Sequence, residues 1–121
     1  DNFKGINDTF GHYSGDKVIE QVGKAIRNNI RASDIGFRNG GDEFAIILKH
    51  ATSDVAKQVA QKVKGDFGGF EFLFNETTVF NVSMSMGIEE YVDGTNLETF
   101  LKNVDAKLYE AKEKGKNQIS F

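Results

Sequence analysis

Apolar residues recur three or four positions apart in three separate stretches of the chain, which is the spacing that puts side chains on one face of an α-helix. Polar and charged residues fill most of the intervening positions. The pattern therefore predicts three amphipathic helices, each with one buried face. The predicted inward positions are Val18, Ile19, Val22, Ala25, Ile26 and Ile30 in the first helix, Val55, Val59, Val63 and Phe67 in the second, and Leu97, Leu101, Val104 and Leu108 in the third.

Glycines and capping residues indicate where the helical stretches begin and end. Residues 1–10 predict a short helical turn that stops at Gly11, and a loop from Gly11 to Gly15 leads into the first long helix. Ser53 is the expected cap of the second helix, because its hydroxyl can accept a hydrogen bond from a first-turn N–H. The expected ends are Gly68-Gly69 for the second helix and Gly115 for the third, which is predicted over residues 97–113.

Short stretches rich in β-branched and aromatic residues lie between and after the helices and predict strands. Gly40 and Gly41 separate the first two stretches and predict a tight hairpin, because glycine readily takes the positive φ that such a turn needs. The predicted strands are about 35–38, 43–48, 70–75, 78–88 and 118–121.

Helices and strands together predict a single α/β domain over residues 1–121, with a central, mostly antiparallel sheet of about five strands flanked by helices. The chain opens on a helical turn with no strand before it. A sheet of this size is expected to have a central strand at that position, so the domain is expected to be incomplete at its amino end.

Composition narrows the function classes. The chain is 39% hydrophobic with 11 Phe, enough for one core, and its net charge of −3 argues against a nucleic-acid footprint. It has no Cys and only two His, so a Cys-built zinc site is excluded. No stretch approaches the roughly 18 consecutive apolar residues of a membrane span. We expect a cytoplasmic domain without membrane contact.

The turn of the first hairpin carries two neighbouring carboxylates, Asp42 and Glu43. Like charges at contact distance repel, and a divalent cation removes that repulsion. Hard oxygen ligands of this kind suit Mg²⁺ or Mn²⁺, which binds one or two carboxylates together with substrate phosphates. An ordinary solvated turn is the alternative that these residues alone leave open.

Ordered sequence blocks add a second line of inference. Six blocks lie in order at Asp1–His12, Gly15-Asp16, Arg38–Phe44, Ser83–Ile88, Asp105–Lys112 and Lys114–Asn117. They are similar to the D-x-F-K-x-I-N-D-x-x-G-H, G-D, G-G-D-E-F, V-S-I-G-V-type strand, D-x-A-L-Y-x-A-K and K-x-G-[RK]-N blocks of one family. The chain thus resembles the GGDEF family of diguanylate cyclase catalytic domains, which implies a fold similar to nucleotide cyclases and polymerase palms.

The resemblance implies a GTP site. Asn7 and Asp16 would pair with the edges of guanine, although each also suits a local role at a helix end. Backbone N–H groups of Phe3 and Lys4 would bind phosphate oxygens at a helix start. The terminal phosphates would be held by Lys112 and Lys116, for which complementing a helix carboxyl end is the alternative role.

The resemblance also implies the reaction, in which two GTP molecules form cyclic di-GMP with release of pyrophosphate. Asp42 would be a metal ligand, and Glu43 would either contact the metal or help to activate the attacking 3′-hydroxyl. One such domain holds one GTP, so two domains must face each other in a homodimer. In relatives an amino-terminal sensory or coiled-coil region usually supplies the dimer contact.

An R-x-x-D tetrapeptide, Arg31 to Asp34, lies a few residues before Gly40. Its position is similar to that of the family's inhibitory site, where arginine and aspartate bind the cyclic di-GMP product. A surface ion pair, which contributes little to stability, is the alternative for this common tetrapeptide.

One departure from the family pattern keeps other functions open, and two further departures are mild. The family usually has a further metal-binding Asp two positions before the one matched by Asp1, which lies outside the sequence. Asn39 and Lys116 stand where other residues are common. A catalytically silent GGDEF domain that binds GTP or cyclic di-GMP, or a domain of this fold specialised for another nucleotide, remain alternatives.

Overall fold

A computed structural model describes residues 1–121 and contains three helices and six short strands. Along the chain these are α1 Phe3–Asn29, β1 Ile35–Arg38, β2 Phe44–Ile47, α2 Ser53–Gly68, β3 Phe72–Asn75, β4 Thr78–Phe80, β5 Met86–Gly87, α3 Leu97–Glu113 and β6 Ile119–Ser120. The predicted α/β class and all three long helices are therefore confirmed. None of the helices combines the length and the apolar character that crossing a bilayer requires.

Helix α1 begins earlier than predicted and contains the expected break as a kink. Gly11 has φ 88° and ψ 166°, which are not helical, but residues on both sides of it are. The predicted loop from Gly11 to Gly15 is therefore wrong, because a single glycine takes up the whole change of direction. The helix beyond the kink has the predicted buried face, including Val18, Val22 and Ile26.

Helix α2 is capped one residue before the predicted position. The hydroxyl of Thr52, not Ser53, accepts the hydrogen bond from the N–H of Val55 at 3.3 Å. Val63 and Phe67 are each 1% exposed and form the centre of the core, as predicted. Val55 was expected to point inward too, but it is 41% exposed because it lies on the solvent side of the first turn.

The β1–β2 hairpin is antiparallel, with Ile35 opposite Ile47 and Arg38 opposite Phe44. Its turn has the predicted chemistry, since Gly40 and Gly41 have φ values of 85° and 46°. Phe44 and its neighbour Ile46 pack against the core cluster. The opposite face of the hairpin exposes three apolar side chains, namely those of Ile35, Phe37 and Ile47.

Strands β3 and β4 form a second antiparallel pair, in which Phe72 lies opposite Phe80. Aromatic rings join this pair to the first part of α1. The ring of Phe10 stacks on that of Phe80 at a centroid distance of 4.2 Å, and the ring of Phe72 stacks on Phe80 at 5.3 Å. Such pairs stabilise a core beyond their buried area, so the many Phe residues fix the position of α1.

The predicted central sheet of about five strands is wrong in this structure. The strands form three separate two-stranded sheets, of which β1–β2 and β3–β4 are antiparallel and β5–β6 is parallel. The predicted strand 78–88 is interrupted, because residues 81–85 have no strand partner. Within this segment, the hydroxyl groups of Ser83 and Ser85 donate to the carboxylate of Asp1, and the carbonyl of Ser83 accepts a hydrogen bond from the backbone nitrogen of Asp1.

Helix α3 packs against β5 and β6 through its second half. Ala111 is fully buried, whereas the predicted inward residues Leu97 and Leu101 are 67% and 50% exposed. The predicted helix is confirmed, but the apolar face of its first two turns is left exposed at Leu97 and Leu101. Contact is closest at Gly87, where an added Cβ would lie 2.4 Å from the backbone nitrogen of Leu108.

Candidate functional site

The two neighbouring carboxylates lie at the tip of the β1–β2 hairpin, as predicted. The N–H of Glu43 donates to the carbonyl of Gly40 at 3.0 Å, and the N–H of Asn39 donates to the carbonyl of Glu43 at 2.7 Å. The Nε of Arg38 donates to the carbonyl of Gly41 at 2.8 Å and braces the turn. The side chains of Asp42 and Glu43 are exposed and take part in none of the ion pairs. Backbone bonds therefore hold the turn while both carboxylates stay accessible.

The start of α1 offers backbone donors. Asn2, the residue before the helix, has φ 57° and forms no side-chain cap, and the first turn contains no acidic residue. The first N–H groups of a helix have no acceptor within the helix. The N–H groups of Phe3 and Lys4 are in this position, and the helix dipole adds a partial positive charge there.

Asn7 lies about one helical turn after Phe3 in α1 and packs directly over Gly15. A Cβ built on Gly15 would lie 1.8 Å from Oδ1 of Asn7 and 3.4 Å from Cε1 of Phe3. Only glycine fits, so the lack of a side chain at Gly15 lets the side chain of Asn7 lie against its backbone. The Oδ1 atom of Asn7 is buried and has no hydrogen-bond partner. A buried unpaired amide oxygen is costly, which is the kind of cost that a bound donor removes.

Lys112 and Lys116 lie at the end of α3 and in the turn that follows. The turn has three consecutive residues with positive φ, namely Gly115 at 115°, Lys116 at 63° and Asn117 at 51°. Its backbone is tied to the helix, since the N–H of Lys116 donates to the carbonyl of Ala111 at 3.0 Å. Both lysine side chains are exposed and are absent from the ion pairs of the structure.

Asp1 connects these parts. Its carboxylate accepts the backbone N–H of Asn117, the residue after Lys116, at 3.0 Å, and Asp42, Lys112 and Lys116 lie close enough for their charges to act at its backbone nitrogen. These charge effects require proximity, so the hairpin tip and the end of α3 face the same corner as the start of α1. The structure thus places Asp42, Lys112 and Lys116 near Asp1, and separately brings Phe3 and Asn7 against Gly15, the residue before Asp16, on α1.

The donor set at the hairpin tip is compatible with a divalent cation shared with a ligand. Two exposed carboxylates supply hard oxygen atoms, and Mg²⁺ commonly binds one or two carboxylates together with phosphate oxygens. No group of three or more His, Cys, Asp or Glu side chains comes together anywhere in the chain. Asp42 and Glu43 would therefore supply only part of the coordination shell of such an ion.

Arg31 and Asp34 form a closed pair away from this corner. The guanidinium of Arg31 donates from Nε to Oδ2 of Asp34 and from Nη2 to Oδ1, both at 3.1 Å. The same carboxylate accepts the backbone N–H groups of Arg31 at 3.0 Å and Lys49 at 3.1 Å. The side chain of Asp34 is 2% exposed and that of Arg31 is 57% exposed. Asp34 thus links the loop before β1 to Lys49, just beyond the end of β2. The sequence did not indicate this link.

We expect Asp34 to contribute stability that depends on pH. The Arg31 side-chain hydrogen bond, supported by the two backbone donors, lowers the pKa of Asp34 from 3.8 to about 2. A carboxyl with a depressed pKa stabilises the fold above its unfolded value and loses that effect as pH falls through its folded value. Urea unfolding of the parent and of Asp34→Asn should differ most above pH 4. The difference should shrink between pH 4 and pH 2, and a constant difference would contradict this role.

The fold and the corner define an α/β domain with a carboxylate-bearing hairpin opposite a lysine-bearing helix end. The profile described as "Diguanylate cyclase, GGDEF domain" matches residues 1–118. The chain therefore belongs to the GGDEF family.

Individual relatives agree with this assignment. The chain is 33% identical over 122 residues to "Diguanylate cyclase A" of Treponema denticola, covering 100% of this chain and 33% of that protein. It is 32% identical over 121 residues to "Diguanylate cyclase VdcA" of Vibrio cholerae, covering 98% of this chain and 36% of that protein. The chain thus spans about a third of the length of these relatives.

A solved structure agrees as well. The GGDEF domain of DgcB from Caulobacter crescentus, in complex with c-di-GMP, superposes with a TM-score of 0.93 at 29% identity, covering 99% of this chain and 71% of that one.

The sequence analysis placed Asp1 and Gly15 in blocks that resemble the family but assigned neither of them a role in the candidate site. For Gly15 the signal was present, since a glycine inside a helical pattern often marks a close approach. For Asp1 no local signal existed, because its partners Ser83, Ser85 and Asn117 are 82, 84 and 116 residues away.

Proposed function

We propose that the protein containing this chain is a diguanylate cyclase that condenses two GTP molecules into cyclic di-GMP and two pyrophosphates. The observation that carries the proposal is the hydrogen bond from the N–H of Asn117 to Asp1, which holds the turn of Lys116 next to the start of α1, where the charges of Asp42 and Lys112 also act. An acidic hairpin tip facing two unpaired cations and free backbone N–H groups suits a metal-bound triphosphate. Membership of the GGDEF family is the second support.

The base would be read on α1. The buried Oδ1 of Asn7 lacks a partner and can accept a hydrogen bond from a guanine N–H, while the carboxylate of Asp16 can accept others. Gly15 keeps Asn7 in place without filling the space. A site that leaves a buried acceptor unpaired discriminates against bases that lack the matching donor. This is the basis for preferring GTP over ATP.

The phosphates would lie between the start of α1 and the end of α3. The N–H groups of Phe3 and Lys4 would donate to phosphate oxygens, and the ammonium groups of Lys112 and Lys116 would neutralise the terminal phosphates as point charges. Both lysines are exposed and form no ion pair, so no internal partner has to be displaced.

Chemistry would take place at the α-phosphorus. The 3′-oxygen of one GTP attacks the α-phosphorus of the other, the bond to the bridging oxygen breaks, and pyrophosphate leaves. A divalent ion held by Asp42 and Glu43 would supply charge neutralisation during this displacement. Glu43 is also a candidate to accept the proton of the 3′-hydroxyl. Repeating the step with the roles exchanged closes the ring.

Two copies of the domain are required, since each would contribute one GTP and two bonds must form. We propose a two-fold dimer in which the corners around Asp1 face each other. An amino-terminal sensory or coiled-coil region of the whole protein would supply the stable contact.

The whole protein, incubated with GTP and Mg²⁺, should yield cyclic di-GMP and pyrophosphate in a ratio of 1 to 2. Separation of the nucleotides by chromatography identifies the product, and parallel reactions with ATP test the base preference. Asp16→Asn should lower the preference for GTP over ATP. Binding of GTP without any product would instead favour the catalytically silent domain.

Product inhibition at Arg31 and Asp34 is part of the proposal. The exposed guanidinium of Arg31 uses Nε and Nη2 to bind Asp34 and Lys49, which leaves the N–H groups of Nη1 free to donate to a phosphate. Arg31→Ala should therefore raise the cyclic di-GMP concentration needed for half inhibition by roughly tenfold, as expected for the loss of one charge-assisted contact. The rate at low product should be unchanged. Inhibition at the parental concentration would reject the site.

A further inference from the structure

The carboxylate of Asp1 is more fully bonded than those at the hairpin tip. Its Oδ1 accepts the hydroxyl of Ser85 at 2.7 Å, and its Oδ2 accepts the hydroxyl of Ser83 at 2.7 Å and the backbone N–H of Asn117 at 3.0 Å. The backbone nitrogen of Asp1 donates to the carbonyl of Ser83 at 2.8 Å. One residue therefore joins the start of α1, the segment before β5 and the turn after α3.

The turn after α3 is the part that needs such support. Lys116 and Asn117 both adopt left-handed φ values, which non-glycine residues occupy only when neighbouring contacts hold them there. The side chain of Gln118 fastens the first part of the turn through the carbonyls of Lys114 and Lys116. At Asn117 the contact comes from Asp1.

We propose that Asp1 is a positioning residue that sets the distance between the phosphate-binding N–H groups of α1 and the ammonium group of Lys116. This inference rests on the proposed function, because it assigns Asp1 to the triphosphate part of that site. Asp1 does not touch the nucleotide. It acts through Asn117, whose neighbour Lys116 carries the cation, and through its own place two residues before Phe3.

Charge and geometry predict opposite results for the loss of this carboxylate. Asp1 is an anion near the lysines that would bind phosphate, so removing its charge should by electrostatics alone strengthen triphosphate binding. A positioning role predicts weaker binding instead, because an amide at this position offers only one acceptor atom. An amide nitrogen in the place of Oδ2 cannot accept the N–H of Asn117.

The experiment compares Asp1→Asn with the parent protein, with Asp93→Asn on an exposed loop as the matched control. Calorimetry measures the affinity for 3′-deoxy-GTP, which lacks the attacking hydroxyl, and for 3′-deoxyguanosine. Asp1→Asn should lower the affinity for the triphosphate about tenfold, in line with one charge-assisted hydrogen bond, and leave the nucleoside affinity within about twofold. Asp1→Glu keeps the charge but displaces the carboxylate, and should behave like Asp1→Asn.

Hydrogen exchange at the Asn117 amide supplies a readout that needs no nucleotide. The amide should be protected in the parent and in Asp93→Asn, and should exchange faster in both Asp1 variants. Tighter triphosphate binding in Asp1→Asn, equal losses for both ligands, or unchanged protection of Asn117 would each overturn the positioning role. If the parent protein binds 3′-deoxy-GTP no better than the nucleoside, the proposed GTP site is wrong. The exchange rate of the Asn117 amide still shows whether Asp1 holds the turn after α3.

Discussion

Asp42→Ala is expected to lower cyclic di-GMP synthesis by roughly 10²–10³-fold, the range seen when one preorganised charge-stabilising group is removed from an active site. Asp42 is exposed at the hairpin tip, and its charge reaches the corner that Lys112 and Lys116 also face. Without it, one carboxylate fewer is available to hold a divalent ion against the triphosphate. The rate should be measured on the whole protein at saturating GTP and Mg²⁺.

The matched control for this change is Glu76→Ala, which removes an exposed carboxylate from the β3–β4 turn. Its rate should equal that of the parent. Neither substitution should change the free energy of unfolding by more than about 0.5 kcal/mol, because both side chains are exposed and make no hydrogen bond. Parental turnover by Asp42→Ala would remove the hairpin tip from the mechanism.

Gly87→Ala is expected to destabilise the fold by about 3 kcal/mol, at the upper end for an overpacked core position. An added Cβ would lie 2.4 Å from the backbone nitrogen of Leu108 and 2.8 Å from the carbonyl oxygen of Val104. Both are backbone atoms of α3, so no side chain can rotate away and the whole helix must move. The unfolding free energy from urea titration, with the slope compared between proteins, measures the effect.

Gly23→Ala is the control for the added methyl group. Gly23 lies within α1, and a Cβ there would meet nothing within 4 Å. Alanine favours a helix interior over glycine by roughly 0.5–1 kcal/mol, so this variant should be slightly more stable than the parent. Equal stability of Gly87→Ala and the parent would show that α3 does not rest on β5 as described.

Local patterns allowed much of this fold to be predicted. The spacing of apolar residues predicts the helices and their buried faces at Val22, Val63 and Phe67, and the glycine pair predicts the turn at Gly40-Gly41. The structure contains all of these features. The errors share a cause in tertiary context. Leu97 and Leu101 have the period of an inward face, but whether that face is covered depends on what lies opposite. The cap at Thr52 instead of Ser53 is a one-residue shift between two equivalent hydroxyls.

The predicted strand 78–88 is another case in which tertiary context, not the local pattern, decided the structure. Its alternation of side chains is that of a strand, yet a strand also needs a partner for its backbone, and residues 81–85 have none. The candidate site was predicted where a single segment carries it, as at Asp42. The contacts of Asp1 join distant segments, so no window of sequence contains them. The prediction that a further strand and metal-binding Asp precede Asp1 stays a prediction.

The long separation between Asp1 and Asn117 has a consequence for synthesis. Chains leave the ribosome amino end first, and contacts between distant residues form late because closing a long loop costs entropy. Helices α1 and α2 can already pair on the nascent chain, but the Asp1–Asn117 bond needs almost the whole domain outside the exit tunnel. Nascent chains stalled before residue 117 should therefore contain folded helices α1 and α2 but lack this contact at the turn after α3.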